Sequence, residues 1–310
     1  MATILVTGAA GWIGSHLARE LLDAGHQVVA PVRSSSDLSR VAEMAGRLAI
    51  ETCDLEDVTA MRALVARFRP EIAYHLAWNA VPGQYLHSRE NLRSVEASLH
   101  FAEALVDAGC RRLVVTGTCF EYDTDLGKLS EESPTHPKFL YSASKLAVYQ
   151  ILSQLVPRCG ASLAWVRLFY QYGPSEDKRR LVSSIVNGLL RGQEVSVTPG
   201  LQLRDFLHVA DVASALAAVG ASNLSGVINV GSGQPTTVAR VAQLLGDQTG
   251  RPELVKLGAR PYRSGDPMEV VAVARRLFEE VGWQPRYTLE SGLADTVEWW
   301  RTRLLAETQA

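Results

Sequence analysis

Three glycines spaced three apart, in Thr7-Gly8-Ala9-Ala10-Gly11-Trp12-Ile13-Gly14, constrain this chain more than any other stretch. The apolar run Ile4-Leu5-Val6 leads into them. A segment with Ile13, Leu17, Leu21 and Leu22 at helical spacing follows and closes at Asp23-Ala24-Gly25. A second apolar run, Gln27-Val28-Val29-Ala30-Pro31-Val32, comes next. The order is strand, glycine turn, helix, strand, the first βαβ unit of a dinucleotide-binding sheet. Such a turn must leave the strand sharply, bring backbone N–H groups close to a pyrophosphate and seat the helix on the sheet; a side chain obstructs each of these. The helix start then offers free N–H groups and a positive dipole end to the phosphates. Gly8, Gly11, Trp12, Ile13 and Gly14 are the expected cradle. Three glycines alone make only a tight turn; the flanking elements select nucleotide binding.

The end of the second strand bears on which dinucleotide is bound. NAD-binding units commonly place Asp or Glu about 20 residues on, where it bonds the ribose 2′-hydroxyl. Here the strand runs out as Val32-Arg33-Ser34-Ser35-Ser36, and no carboxylate comes before Asp37. Arg33 with Ser34 suits a 2′-phosphate, so NADP(H) is expected, with NAD(H) as the alternative. The plain reading of Arg33 is a solvated surface arginine.

Strand-like runs alternate with helical patterns beyond this unit, which argues an α/β fold with a Rossmann-type, doubly wound parallel sheet. Leu48 to Leu55 reads as a third strand. At its end, beside Leu55, Asp54 either meets the adenine amino group or caps a helix starting near Val58. Ile72 to Ala77 is a fourth strand, whose carboxyl end, Leu76 and Ala77, should lie over the cofactor. His75 within it reads as a packed core histidine. Leu92, Val95, Leu99, Ala102 and Leu105 give a helix with one apolar stripe, and Leu113 to Thr118 the next strand. From Gly173 the texture changes to mixed short elements. Residues 1–172 are expected to form the NAD(P)-binding domain, with returning segments near 204–230. Residues 173–310 are expected to form a smaller mixed α/β substrate domain. The pair Trp299-Trp300 lies in the last apolar helix pattern and reads as core packing.

A net charge of −2 gives no reason to expect nucleic acid or an anionic membrane as partner. No apolar run approaches the ~20 residues of a membrane span. Met1-Ala2-Thr3-Ile4 enters the first strand directly, leaving no room for a secretory signal, and the four cysteines lack metal-ligand spacing. The expectation is a cytoplasmic protein without a metal.

Tyr141-Ser142-Ala143-Ser144-Lys145 places a phenol and an ammonium on one face of a helix. Tyrosine's ordinary pKa is ~10, too high for proton transfer near neutrality, and a nearby ammonium with an oxidised nicotinamide would lower it. Thr118, at the end of the preceding strand, can hold a substrate oxygen against Tyr141. Taken alone, a Tyr and Lys four apart are ordinary surface neighbours; with the opening motif they read as catalytic.

With these residues in place, the chain resembles the extended short-chain dehydrogenase/reductases, the family of nucleotide-sugar epimerases, 4,6-dehydratases and 4-ketoreductases. The resemblance rests on Thr7 to Gly14, on Thr118 four residues before Tyr122, and on the Tyr141/Lys145 pair. It continues through Arg167 to Pro174, Arg204-Asp205-Phe206-Leu207-His208-Val209-Ala210-Asp211-Val212, Asn229 to Gly233 and Arg263-Ser264-Gly265-Asp266, nearly the whole chain. It implies that Thr118, Tyr141 and Lys145 are catalytic and that Arg204 and Arg263 grip a sugar nucleotide's diphosphate. Lys178, Arg179 and Arg180 either add to nucleotide binding or form a solvated helix start. It also implies a homodimer through the helices at 91–108 and 141–156.

Departures from the family's pattern narrow the reaction. Dehydratases carry an Asp-Glu pair directly after the catalytic Thr, where this chain has Cys119 and Phe120. The family Asn of R-x-F-N is Tyr170 here. Cys119 reads as a small buried thiol, His208 as structural, and Glu121 as a candidate pocket acid of unread direction. The leading expectation is an NADPH-dependent 4-ketoreductase of an NDP-4-keto-6-deoxyhexose, because a dissociable NADPH suits net reduction. The alternative is an NAD-dependent NDP-sugar 4-epimerase, which retains its coenzyme and turns the keto sugar over. Behind these stand a reductase of a non-sugar ketone and a non-catalytic NADP-binding regulator. The loops Trp78–Tyr85 and Asp123–Lys138 are expected to set specificity.

Overall fold

The computed structural model describes residues 1–309, with side chains through Glu307. Its first half runs β1 (Thr3–Thr7), α1 (Trp12–Asp23), β2 (Gln27–Val32), β3 (Leu48–Thr52), α2 (Val58–Phe68), β4 (Ile72–His75), α3 (Glu90–Asp107), β5 (Arg112–Thr118), β6 (Lys128–Leu129), α4 (Leu140–Arg158) and β7 (Ser162–Leu168). The second half runs β8 (Tyr170–Tyr172), α5 (Leu181–Leu190), β9 (Val195–Ser196), β10 (Leu203–His208), α6 (Val209–Ala221), β11 (Gly226–Val230), β12 (Pro235–Thr237), α7 (Val238–Thr249), β13 (Val255–Lys256), β14 (Glu269–Ala272) and α8 (Leu289–Gln309).

Seven strands form a parallel sheet in the order β11-β7-β5-β4-β1-β2-β3. The chain winds outward from β1 to one side and from β4 to the other, so the crevice beyond their carboxyl ends is the switch point where open α/β sheets bind ligands. The inner strands are largely apolar because both faces are covered, whereas the edge strand β3 is half-exposed. Ile4, Val6, Val28 and Val114 face the side of α1 and α6, whereas Leu5, Ala73, Leu113 and Val115 face that of α2, α3 and α4. Truncating such a fully buried Leu to Ala costs about 2–5 kcal/mol. β3 and β4 stop short of the expected Leu55 and Ala77: after β3 residues 54–57 form a local turn, and after β4 the chain passes against Gly8.

The second half does not segregate cleanly. α6 packs on α1, and β11 pairs with β7 as the edge strand of the first sheet. β10 lies in a second sheet, β12-β10-β14-β6, with β8 also pairing it. Buried Asp205 on β10 explains why two distant motifs occur together. It accepts from Ser232 N and Oγ, Gly233 N and Ala272 N, pinning the Asn229–Gly233 segment and β14. Asp211 likewise receives the N–H groups of Arg286 and Tyr287. A third core joins α5, α7 and α8, with Trp300 buried and Trp299 edge-on to it. No helix among the described residues is long and apolar enough to cross a membrane.

Candidate active site

The glycine turn is built by close approach. Gly8 holds a left-handed φ of 74°, and a Cβ there would lie 2.9 Å from Ala77 N. A Cβ on Gly14 would stand 2.0 Å from Gly8 O, so α1 sits directly on the turn. Gly11 caps α1 without a side chain, and the first turn carries no acid. Its N–H groups therefore remain available to an anion, and the cradle fits a dinucleotide pyrophosphate. Thr7 braces the opposite wall: its Oγ1 accepts from Leu76 N and Ala77 N, each at 3.2 Å, and meets His75 Nδ1 at 2.7 Å. His75 Nε2 meets Ser98 Oγ, whose hydroxyl donates to Ser94 O, so the ring carries its proton on Nε2. Burial pushes His75 down to about 3, and it stays neutral.

Arg33 and Ser34 are exposed where β2 ends, and no ion pair engages Arg33 among the described residues. Asp37, the first carboxylate after the strand, is taken by its own loop: it accepts from Ser39 N and Oγ, which lowers its pKa. Asp54 is exposed beside Leu55 and accepts from Glu56 N. It does not cap α2; Asp57 does, accepting from Ala60 N at 3.0 Å.

At the carboxyl end of β5, the Thr118 side chain favours the ionised form of the Tyr141 phenol, against the larger effect of burial. Tyr141 sits in the first turn of α4, half-buried, its N–H bonded to Leu86 O. Lys145 is 2% exposed. The expected electrostatics differ in one respect. Lys145 Nζ donates to Thr116 O at 2.7 Å and stands 4.0 Å from the centre of the Trp78 ring, rather than serving Tyr141 alone. Burial pushes Lys145 down to about 7, and burial also raises Tyr141, with Tyr85, Glu121 and Cys119 adding to the rise. Without an oxidised nicotinamide the phenol is therefore held protonated.

Glu121 is not a pocket acid. It is fully buried beneath the site, accepting from Thr118 N at 2.8 Å, Trp165 Nε1 at 3.0 Å and Arg167 Nε at 2.7 Å. Burial pushes its carboxyl up while Arg167 pulls it back. Gly117 is needed here, since a Cβ would fall 2.4 Å from Glu121 Oε1. Cys119 is a buried thiol pushed up to about 12. Phe120 stands edge-on to Phe139 and Tyr170.

On the substrate side, Arg204 is 4% exposed, its guanidinium 3.0 Å from Asp266 and 5.3 Å from the centre of the Tyr170 ring. Arg263 is exposed, one turn from Asp266, whose N–H bonds Arg263 O. Arg204 is carried by β10 and Arg263 by the loop before β14, and Asp266 touches both. The basic trio divides: Lys178 pairs with Glu307 and Arg179 with Asp177 at the surface, whereas Arg180 stands 6.0 Å from the centre of the Tyr85 ring. Tyr85 is edge-on to Tyr141, centroids 4.8 Å apart. His208 caps α6 and is pushed down to about 4 by burial. Sequence reasoning missed Asn91 and the approach of Arg180, because neither carries a motif.

Residues 4–231 match the profile of the NAD dependent epimerase/dehydratase family. A UDP-glucose 4-epimerase of Streptomyces lividans is 31% identical, the match covering 95% of this chain and 95% of the relative. The crystal structure of a UDP-glucose 4-epimerase of Thermotoga maritima with UDP-glucose superposes with a TM-score of 0.88 at 28% identity, covering 97% of this chain and 99% of that one. A UDP-glucose 4-epimerase of Thermus thermophilus in complex with NAD gives 0.83 at 27% identity, covering 96% and 99%.

Proposed function

The chain belongs to the NAD dependent epimerase/dehydratase family, and from that premise we propose that it is an NAD-dependent 4-epimerase of a nucleoside-diphosphate hexose. The observation that carries this reading is the distribution of acids. Beside Thr118, we read Tyr141 as the group that takes and returns a proton. Positions 119 and 120 are Cys and Phe, and Glu121 is sealed against Arg167. Elimination of water needs a further acid and base; oxidation and re-reduction at one carbon do not. The similarity to UDP-glucose 4-epimerases supports the same choice over the ketoreductase that Arg33 suggests.

In this reading Gly8, Gly11, Trp12, Ile13 and Gly14 hold the pyrophosphate, Asp54 and Leu55 the adenine end, and Leu76 and Ala77 the wall facing Gly8. When bound, the nicotinamide supplies the acceptor and later the donor of hydride. Tyr141 takes the proton of the sugar's 4-hydroxyl and gives it back once the keto sugar has presented its other face. Thr118 holds that oxygen, and Lys145 keeps a cation beside the proton path. A positioned proton-transfer group contributes roughly 10²–10⁴-fold. Arg204 and Arg263 bind the diphosphate, whose oxygens match a planar guanidinium. A homodimer through α3 and α4 belongs to the same reading; Leu92 and Ile151 on these helices are 54% and 47% exposed.

The test is conversion of UDP-galactose followed by proton NMR without added coenzyme. Appearance of UDP-glucose supports the epimerase. Turnover of a 4-keto sugar that requires stoichiometric NADPH supports the second reading, which Arg33's unpaired guanidinium favours.

A further inference from the structure

The loop after β4 holds an arrangement that the proton path described above does not use. Trp78 turns its indole face to the Lys145 ammonium, 4.0 Å from the ring centre, and stands edge-on to Tyr141 with centroids 6.2 Å apart. The indole N–H donates to Asn91 Oδ1 at 2.8 Å. Asn91, 2% exposed in the first turn of α3, donates from Nδ2 to Tyr85 O at 2.7 Å and Ser88 O at 2.8 Å. One buried amide thus fixes Trp78 and the backbone of Tyr85, the two rings that flank the Tyr141 phenol.

The surroundings of Lys145 make this contact consequential. Thr116 O faces it from β5, neutral His75 from β4 and the indole from the following loop; Tyr141 lies one turn earlier on α4, and Glu121 acts at longer range from the turn after β5. Glu121 is already committed to Arg167 and Trp165. An ammonium taken out of water here has a carbonyl and an aromatic face as its close partners. The face of Trp is the strongest aromatic host for a cation, and more so where water is excluded.

We propose that Trp78, fixed by Asn91, is a positioning residue of the reaction: its indole face holds the Lys145 ammonium charged and in place beside Tyr141. The step it serves is that of the proposed epimerase, but the contact and its test do not depend on which sugar is turned over.

The experiment is an NMR titration of the Lys145 side chain in ¹³C-lysine-labelled protein, the signal assigned by its loss in Lys145→Arg. Wild type is compared with Trp78→Leu, Trp78→Met and Trp78→Phe. Removing the ring face should lower the Lys145 midpoint by about one unit, as one cation–π contact in a dry site implies. Phe, which keeps a ring face, should restore most of it. With a UDP-hexose, the Leu and Met variants should lose about tenfold in kcat with KM within about threefold, and Phe should recover the larger part. Trp78→Met replaces Trp78→Leu should the latter not fold. An unchanged or raised Lys145 midpoint in the ring-less variants overturns the proposal. So does a kcat loss that Phe does not reverse. Failure of the wild type to turn over any UDP-hexose would sink the substrate reading and leave the titration result standing.

Discussion

The two sides of this cleft, the one we assign to the coenzyme and the one we assign to the sugar nucleotide, are held together by different physics. On the coenzyme side, backbone meets backbone: the Gly8 and Gly14 positions leave no room for a Cβ, and Thr7 ties β1 to Leu76 and Ala77. On the substrate side, charged side chains meet across long stretches of chain, Arg204 with Asp266 and Arg180 with Tyr85. Steric closeness of backbone leaves a mark in local sequence, since only glycine satisfies it. A pairing of side chains 62 residues apart leaves none. The first side should therefore fail as a structure when altered, and the second as a binding surface.

Variants can break this contrast, and the largest effect belongs to neither side but to the group between them. Tyr141→Phe should lower kcat by about 10²–10⁴-fold while bound dinucleotide is retained, as single-turnover assays and release of nucleotide on denaturation can show. Glu121→Ala strands Arg167 in the core and should destabilise by about 3–5 kcal/mol in denaturant melts, with substrate KM little changed in whatever folds. Gly14→Ala forces a Cβ onto Gly8 O and should cost about 1–3 kcal/mol and release the coenzyme during gel filtration. Arg204→Ala should raise KM for the sugar nucleotide about 10- to 100-fold in kinetic assays, leaving coenzyme retention near wild type. If Arg204→Ala released the coenzyme as readily as Gly14→Ala, the division of labour would be wrong.

A further effect is in pH. His16, His75 and His208 are pushed below the ordinary value of 6.5, to about 4, 3 and 4, chiefly by burial. In the window between about 6.5 and 4 the unfolded chain binds these protons and the folded one does not. Stability is therefore complete above about 6.5 and declines as pH falls toward 4. Melting curves across that range should show the decline, shallower in His75→Gln, which can still bridge Thr7 and Ser98.

Much of the coenzyme side was legible because its constraints are local. Glycine spacing, the alternation of strand and helix, and Tyr141 with Lys145 one turn apart all act within a few residues. The same locality explains what stayed open. Asp54 and Asp57 are both plausible caps, and only the path of the chain chooses Asp57. Glu121 looked like an acid beside Thr118, yet the turn after β5 directs it into the core, where Arg167 and Trp165 lie on the neighbouring strand. Lys178, Arg179 and Arg180 form one run in sequence but separate at the helix start, two to the surface and one to Tyr85. Lys145 lies on the expected helix, while its partners on β5 and the β4 loop come from distant segments.

The central claim is that oxidation and re-reduction occur at one carbon without exchange of coenzyme. A UDP-hexose carrying deuterium at carbon 4 tests it most directly, with both epimers analysed by mass spectrometry and NMR after many turnovers. The account predicts that deuterium stays at carbon 4 in both epimers and that none enters free nicotinamide coenzyme. Deuterium accumulating in released NAD(P)D, or turnover that stops after one cycle unless oxidised coenzyme is added, would contradict it.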